Sequence, residues 1–485
     1  MSFEWLIYFF SFIAPSLGAL IVFLFGKKRF IKETISTLSI SLAIFSTILC
    51  WNALNISDKK ALLLVQIFYI DGFSIIMQLM VEFVALMVIL YSLAYIPKVY
   101  SHRKENFHIY YSVILLSTGF MNLTFSLNNL FWLYITLELS SILSVYLIVF
   151  NLNKESLKAG FKYLILINVG ILFSLLGIIL LFHMAGNPVM ITNIGEVIKS
   201  LPRNIALLSA FLFIIGFFTK AGLIPFHLWL PDSYAESPTA VTVFLTGAVT
   251  KLGFYGLVRT VTIFSFNYEE IKVLVITLSS LSMLFGAILA FNQKDIKKLI
   301  AYVSISEMGF IASALVLKTY EGIFGGVFHL INHTLMKGAL FFATGAIIYT
   351  CGSRKLEEIK TLIIKMPAIK ISFFIGTLAV GGMPLFASFL SSITIFFAIT
   401  NEGFLLASIV LIVSEFLSVV ILLKTAISIF WQRNDKSKVS NSSVPFLMIF
   451  CTGLFVVLLI IFGIYPEIIY PIIDSATIGI IKIID

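Results

Sequence analysis

Fourteen apolar runs follow one another along this chain, at 3–25, 34–54, 73–96, 109–127, 130–150, 161–185, 205–224, 239–264, 272–291, 297–317, 322–350, 367–400, 404–431 and 445–464. A run of about twenty apolar residues is long enough to cross the hydrocarbon core as a helix. Repetition on this scale leaves little besides a polytopic, all-α membrane protein of about 14 transmembrane helices. Composition closes the soluble alternative, because 60% of the residues are apolar and only 12% are charged. A soluble fold of this length exposes too much surface to hide that excess. The run at 367–400 is too long for one straight helix and contains Gly381-Gly382-Met383-Pro384, so a broken span is expected there. The first run opens with Glu4 and lacks a basic leading region, which speaks against a cleavable signal peptide.

The net charge of +9 is a matter of topology. Connections on the cytoplasmic side of a membrane protein are enriched in Lys and Arg. The odd-numbered connections hold twenty such residues, among them Lys27, Lys28, Lys365, Arg433 and Lys436. The even-numbered ones and the tail hold seven, including Lys59 and Lys60. The bias predicts an even number of spans in a cell membrane, with both termini outside. It also argues against a nucleic-acid partner. Cys50, Cys351 and Cys451 lie far apart without paired spacing, which rules out a Cys-ligated iron–sulfur cluster built from this chain alone. With no phosphate-binding loop and no flavin or haem signature, no cofactor is expected here, and any redox chemistry belongs to a partner. The polar connections are all short, so 1–485 reads as a single membrane domain.

The informative residues are the ionisable ones inside the runs: Glu82, Glu138, Lys220, Lys251, Arg259, His329, His333, Lys337, Glu415 and Lys424. Left unpaired, ten such groups would cost on the order of 25–35 kcal/mol on insertion scales. They must pair and face a hydrated interior. One pair is explained as structural glue; a series over at least six helices is better explained as an ion path. Lys220, in G-F-F-T-K-A-G-L-I-P-F-H, lies shortly before Pro225, where a helix break would free carbonyls to be solvated. Pairing with Glu138 would let a changing separation toggle the lysine between holding and releasing a proton. A static ion pair is the competing explanation. His329, His333 and Lys337 recur every four residues and share one helix face. Histidine both donates and accepts near neutral pH, which suits a proton relay. A structural polar stripe or a metal site are the alternatives, although a zinc-protease motif would need an inner Glu. Arg259 and Lys424 are placed to snorkel toward helix ends. His183 is assigned to a helix end, and His102 and His108 to a connection. The breaks near Pro225 and Pro384 lie about five spans apart, the trace left by inverted-repeat transporters.

One stretch goes further. Residues 220–241, K-A-G-L-I-P-F-H-L-W-L-P-D-S-Y-A-E-S-P-T-A-V, closely resemble the signature of the antiporter-like subunits of respiratory complex I. Their relatives are the Mrp-type Na+/H+ antiporters and the membrane arms of energy-converting hydrogenases. L-E-L-S-S around Glu138, K-Y-L-I-L at 162–166, K-L-I-A-Y-V-S-I-S-E-M-G-F at 298–310 and H-L-I-N-H-T-L-M-K-G-A-L-F extend the resemblance over roughly 70–430. It implies two inverted five-helix repeats, about 109–264 and 272–431, with broken helices 7 and 12 and flanking helices in 1–96 and 445–464. It also implies proton transfer, with or without Na+ exchange, along a central axis in a multi-subunit complex. Glu138 and Lys220 would be the input pair, with His227 in the same motif. Lys251 would bridge to His329, His333 and Lys337. Asp232 and Glu236 would have a structural or gating role. Partners would be other membrane subunits and, in a redox-driven complex, peripheral subunits carrying iron–sulfur, nickel–iron or flavin centres.

Two departures qualify the resemblance. The family's charged outlet after the twelfth break is Ser392 here, in P-L-F-A-S-F-L-S-S, and Glu415 on the next helix, or water near Ser391 and Ser392, is expected to substitute. Glu82, in M-V-E-F-V, has no counterpart in the pattern; it either extends the axis or contacts a neighbouring subunit. A conducting subunit of a redox complex, an Mrp-type subunit and a non-conducting membrane scaffold all remain open.

Overall fold

A computed structural model describes residues 3–56, 61–64, 66–360, 362–363, 366–431, 438–439 and 443–483. Lys59, Lys60, Lys365, Arg433 and Lys436 lie outside the described residues, as does the side chain of Glu4.

The chain begins as α1 (Phe3–Phe25) and α2 (Arg29–Ile56) and turns through an antiparallel hairpin of β1 (Ala61–Leu64) and β2 (Phe68–Asp71). It continues as α3 (Gly72–Val99), α4 (Phe107–Thr124), α5 (Leu130–Ile148), α6 (Lys154–Ala185) and the short α7 (Ile194–Ser200). Next come α8 (Arg203–Ala221), α9 (Leu230–Glu236), α10 (Thr239–Phe244), α11 (Lys251–Arg259) and α12 (Val261–Asn267). α13 (Glu269–Phe291), α14 (Ile296–Leu315), α15 (Tyr320–Cys351) and α16 (Leu356–Ile359) precede α17 (Pro367–Val380) and α18 (Ala387–Asn401). α19 (Leu405–Phe430), α20 (Phe446–Ile464) and α21 (Tyr470–Lys482) complete the chain.

Among the described residues, twelve helices are long and apolar enough to cross a membrane, counting Thr239–Asn267 as one. The run at 109–127 forms the 18-residue α4, and the run at 367–400 divides into α17 and α18. The hairpin and α21 were not expected from hydropathy. Boundaries follow local chemistry. Asp71, Asn129, Asn153, Asp295 and Thr319 each cap the helix that follows by accepting backbone N–H bonds. Gly186, Gly222 and Gly352 close α6, α8 and α15 in the left-handed conformation.

Burial separates the helices into two populations. The whole of the Thr239–Asn267 window and 89% of that in α14 are buried inside the protein, against 39% in α6 and 33% in α20. Helices of the first kind are surrounded by other helices; those of the second turn a broad apolar face outward. Charge at membrane depth is tolerable where it faces other helices or water rather than lipid.

Several backbone interruptions break the inner layer, among them a non-helical Thr260 between α11 and α12 and three others. α8 stops at Gly222 (φ 78°), and Trp229 folds back to donate to the Thr219 carbonyl at 2.8 Å. Between α17 and α18, Gly382 and Leu385 take positive φ, and Ser388 donates to the Ala379 carbonyl at 2.6 Å. These are the two breaks expected at Pro225 and Pro384. The third was not expected: Leu245–Val249 is a π-helical turn, ending where the Thr250 amide reaches the Leu245 carbonyl at 3.0 Å.

Candidate functional site

Lys220 is buried in the last turn of α8, just before the first break. Its ammonium donates to Ser141 Oγ of α5, while Glu138, three residues earlier on the same helix, makes no ion pair with it. Glu138 is half-buried and its Oε2 has no hydrogen-bond partner. The expected input pair is therefore not a closed contact: Lys220 is held by Ser141.

Lys251 follows the π-turn directly. An interruption of this kind re-aims the residues after it relative to those before. Its Nζ lies 2.8 Å from Nδ1 of His333 on α15, and both residues are fully buried. The four-residue stripe on α15 reaches three different helices in sequence. His333 meets α11; His329 Nδ1 meets Ser391 Oγ of α18 at 2.9 Å; Lys337 pairs with Glu307 Oε1 of α14 at 2.9 Å. Asn332, between the two histidines, donates to Ser391 Oγ and the Ala387 carbonyl, both at 2.9 Å. At the second break, Ser392 Oγ donates to Glu415 Oε1 of α19 at 2.8 Å. A Cβ on Gly382 would approach the same carboxyl to 2.5 Å, so the break leaves room for it.

Several polar atoms in this interior have no hydrogen-bond partner among the described residues: Glu138 Oε2, His329 Nε2, His333 Nε2, Glu307 Oε2 and Asn332 Oδ1. Buried polar groups are normally hydrogen-bonded, and clusters of exceptions need a reason. His227 is buried beside the first break, its ring 6.3 Å from that of Tyr302, and its Nδ1 is also unpartnered.

Asp232 and Glu236 belong to a charged seam at the loop end of α9. Asp232 bridges Lys162 at 2.8 Å and Lys298 at 2.7 Å. Burial alone would raise its carboxyl, but hydrogen bonds and charge from Lys162 and Lys298 outweigh that and hold it below the usual carboxylate value. Glu236 pairs with Arg354, which also holds Asp295 at 2.7 Å. Lys297, buried, donates to the carbonyls of Ala235 and Ser237.

Glu307 was the residue missed by inspection of the sequence, although it stands inside the quoted motif S-I-S-E-M-G-F. Its neighbours read as ordinary span residues, and nothing local marks it as the partner of a lysine 30 positions away. Arg259 is a correction. It does not snorkel: it is wholly buried and bonds Asp71 through both terminal nitrogens, at 2.8 and 2.6 Å, with Tyr255 4.8 Å from the guanidinium. Asp71 lies just before the α3 span by hydropathy, which hid it. Lys424 is exposed, its Nζ 4.8 Å from the Phe291 ring, and touches none of the axis groups. His108 begins α4 and does not lie in the connection. His183 lies in the last turn of α6 as expected. Among the described residues, no three His, Cys, Asp or Glu side chains are grouped so as to hold a metal ion.

Residues 127–418 match the family model for the transmembrane region of NADH:quinone oxidoreductase and Mrp antiporters. The chain belongs to this family. Residues 65–108 also match the model for the N-terminus of complex I chain 5. A putative antiporter subunit of Staphylococcus aureus, mnhD2, is 29% identical over 413 residues, covering 84% of this chain and 81% of the relative. In the archaeal membrane-bound sulfane sulfur reductase, a chain at 24% identity superposes with a TM-score of 0.88 over 98% of this chain and 97% of its own. One from the Mrp complex of Dietzia sp. does so at 19% identity and 0.88 over the whole of both chains. A chain of Thermus thermophilus complex I follows at 23% identity, 0.78, covering 96% and 99%. These likenesses establish a shared fold, and the family's antiporter-like character agrees with an interior lined by buried ionisable groups.

Proposed function

We propose that this chain is a proton-translocating subunit of a multi-subunit complex in the cell membrane. The observation that carries the reading is the series of buried polar contacts in the interior: Lys251 to His333, His329 to Ser391, Lys337 to Glu307, and Ser392 to Glu415. Such groups are costly at membrane depth, and lining an ion path is the use that accounts for all of them together. Lys220 and Glu138 begin the path, and His227 stands at the first break beside it. The unpartnered histidine nitrogens and Glu307 Oε2 are the atoms that water molecules or a passing proton would engage.

Protons entering at Glu138 would pass to Lys220 when the two approach, with Ser141 holding the ammonium between visits. Each lysine on the axis has a neighbour able to receive: His333 for Lys251 and Glu307 for Lys337. Ser392 and Glu415 form the outlet in place of the usual lysine, which weighs against a non-conducting scaffold. The chain supplies the ion path; electron transfer in peripheral partner subunits would drive it. A second reading, an Mrp-type subunit exchanging Na+ for protons without redox partners, is favoured by the similarity to the putative antiporter subunit.

The test is proton movement in vesicles of the native membrane carrying Lys251→Ala. Loss of coupled transport with the complex still assembled is expected; transport at the wild-type level would remove the axis from the mechanism. Subunits that co-purify with the tagged chain separate the two drivers.

A further inference from the structure

A second polar island lies apart from this axis, among α1, α2, α3 and α4. Glu82 is fully buried there and takes part in no ion pair among the described residues. Its Oε1 accepts from Thr47 Oγ1 of α2 at 2.9 Å and from Asn122 Nδ2 of α4 at 2.8 Å. Its Oε2 has no hydrogen-bond partner among the described residues. One turn back on α3, Gln78 Nε2 reaches Ser126 Oγ at 2.9 Å, the Asn122 carbonyl at 3.1 Å and Tyr8 OH at 3.3 Å. Tyr8 OH donates to Ser126 Oγ at 2.6 Å, and Asn122 Nδ2 also reaches the Ser11 carbonyl at 2.7 Å.

The hydrogen bonds of this island do not balance. Both side-chain amide nitrogens are engaged, yet Glu82 Oε2, Gln78 Oε1 and Asn122 Oδ1 are all acceptors without donors. Among the described residues, the Ser11 hydroxyl is a further unpartnered group beside the island, and the groups that act on Glu82 are Thr47 of α2 and Asn122 of α4, neither charged. An ionised carboxylate in such a place has only the hydrogen bonds of Thr47 and Asn122 to set against its desolvation. A proton on Oε2 removes the charge and converts a surplus acceptor into a donor at the same time.

The island also approaches the axis. Ser74, Gln78 and Glu82 are spaced by four residues on α3, and Lys251, Tyr255 and Arg259 by four on α11. Tyr255 OH donates to the carbonyl of Phe125, the neighbour of Ser126, at 3.0 Å, and stands 3.4 Å from Ser74 Oγ.

We infer that Glu82 is a further proton-carrying residue, a protonated carboxyl on a side branch that meets the main path at Tyr255, one turn from Lys251. The inference rests on the function proposed above, but its first test does not. Dicyclohexylcarbodiimide adds to protonated carboxyl groups in membranes. The intact complex in native vesicles is treated with it, digested, and the peptide containing Glu82 is weighed by mass spectrometry. Labelling of Glu82 at neutral pH, declining in alkali and unaffected by Na+, is expected. Glu82→Gln should then lower proton transport several-fold with all subunits present, and Glu82→Asp should restore part of it. Three results overturn the inference: Glu82 unlabelled while Glu415 is labelled, protection by Na+ (a metal ion in place of the proton), or wild-type transport by Glu82→Gln. Labelling reports the protonated carboxyl whether or not the wild-type complex moves protons, so failure here is told apart from failure of the proposed function.

Discussion

Replacing Glu307 with Gln leaves the Lys337 ammonium buried without its counter-charge. The pair is separated by 2.9 Å, and neither side chain is more than 2% exposed. At that distance and an effective dielectric constant near 20, the attraction is about 6 kcal/mol. Desolvating both charges consumes part of it, and removing one member of a buried pair costs about 3–5 kcal/mol. Glu307→Gln and Lys337→Met should each lower the apparent melting temperature of the detergent-solubilised complex markedly. Replacing both partners by uncharged residues is commonly neutral or stabilising, so the double variant should recover most of that loss. Transport is expected to behave differently: both single variants and the double variant should fail to move protons in vesicles. The divergence is the point of the experiment, since a static ion pair predicts that stability and transport recover together. A double variant that regained coupled transport along with its stability would refute a conducting role for this pair.

Other outcomes follow from neighbouring contacts. Glu415→Gln should impair transport severely, whereas Ser392→Ala, which removes only the 2.8 Å bond to that carboxyl, should slow it less; unchanged coupling in Glu415→Gln would end its candidacy as outlet. Arg259→Lys should destabilise the protein, because a lysine cannot reproduce the two-nitrogen grip on Asp71, and thermal unfolding of the variant measures it. Asp232→Asn should lower stability at neutral pH. The folded-state value of Asp232 lies below its unfolded one, so its contribution is complete above the unfolded value and fades as pH falls through the folded value. The gap between variant and wild type should therefore close on acidification, and a gap that widened would contradict the ion-pair assignment.

Much of the architecture was legible because the bilayer imposes a simple rule: long apolar runs become helices, and proline with glycine marks where they break. The breaks near Pro225 and Pro384, which the structure places at Gly222 and Gly382, followed from that rule. The contacts did not. His329, His333 and Lys337 form a stripe readable from spacing alone, but that each reaches a different helix depends on packing that no local pattern encodes. Glu307 was passed over for the same reason. Arg259 was misread because its partner, Asp71, lies at the end of a short strand that hydropathy does not reveal.

The π-turn carries the most instructive omission. Nothing in L-T-G-A-V announces it, yet it places Lys251 in a pattern shared by the other ends of the axis. Lys220 precedes the Gly222 break by two residues, Lys251 follows the π-turn at Leu245–Val249, and Glu415 lies against Gly382 in the second break. A regular helix satisfies its own carbonyls and presents a lysine only to its neighbours' side chains. An interrupted one frees backbone acceptors at the same depth, and π-turns recur at functional sites for related reasons. Three irregularities beside three ionisable groups, each on a different part of the chain, indicate that backbone and side chain solve one problem together. On the proposed path the cation or carboxyl would supply the proton site, and the break would supply polar surroundings in which that site is able to change its charge.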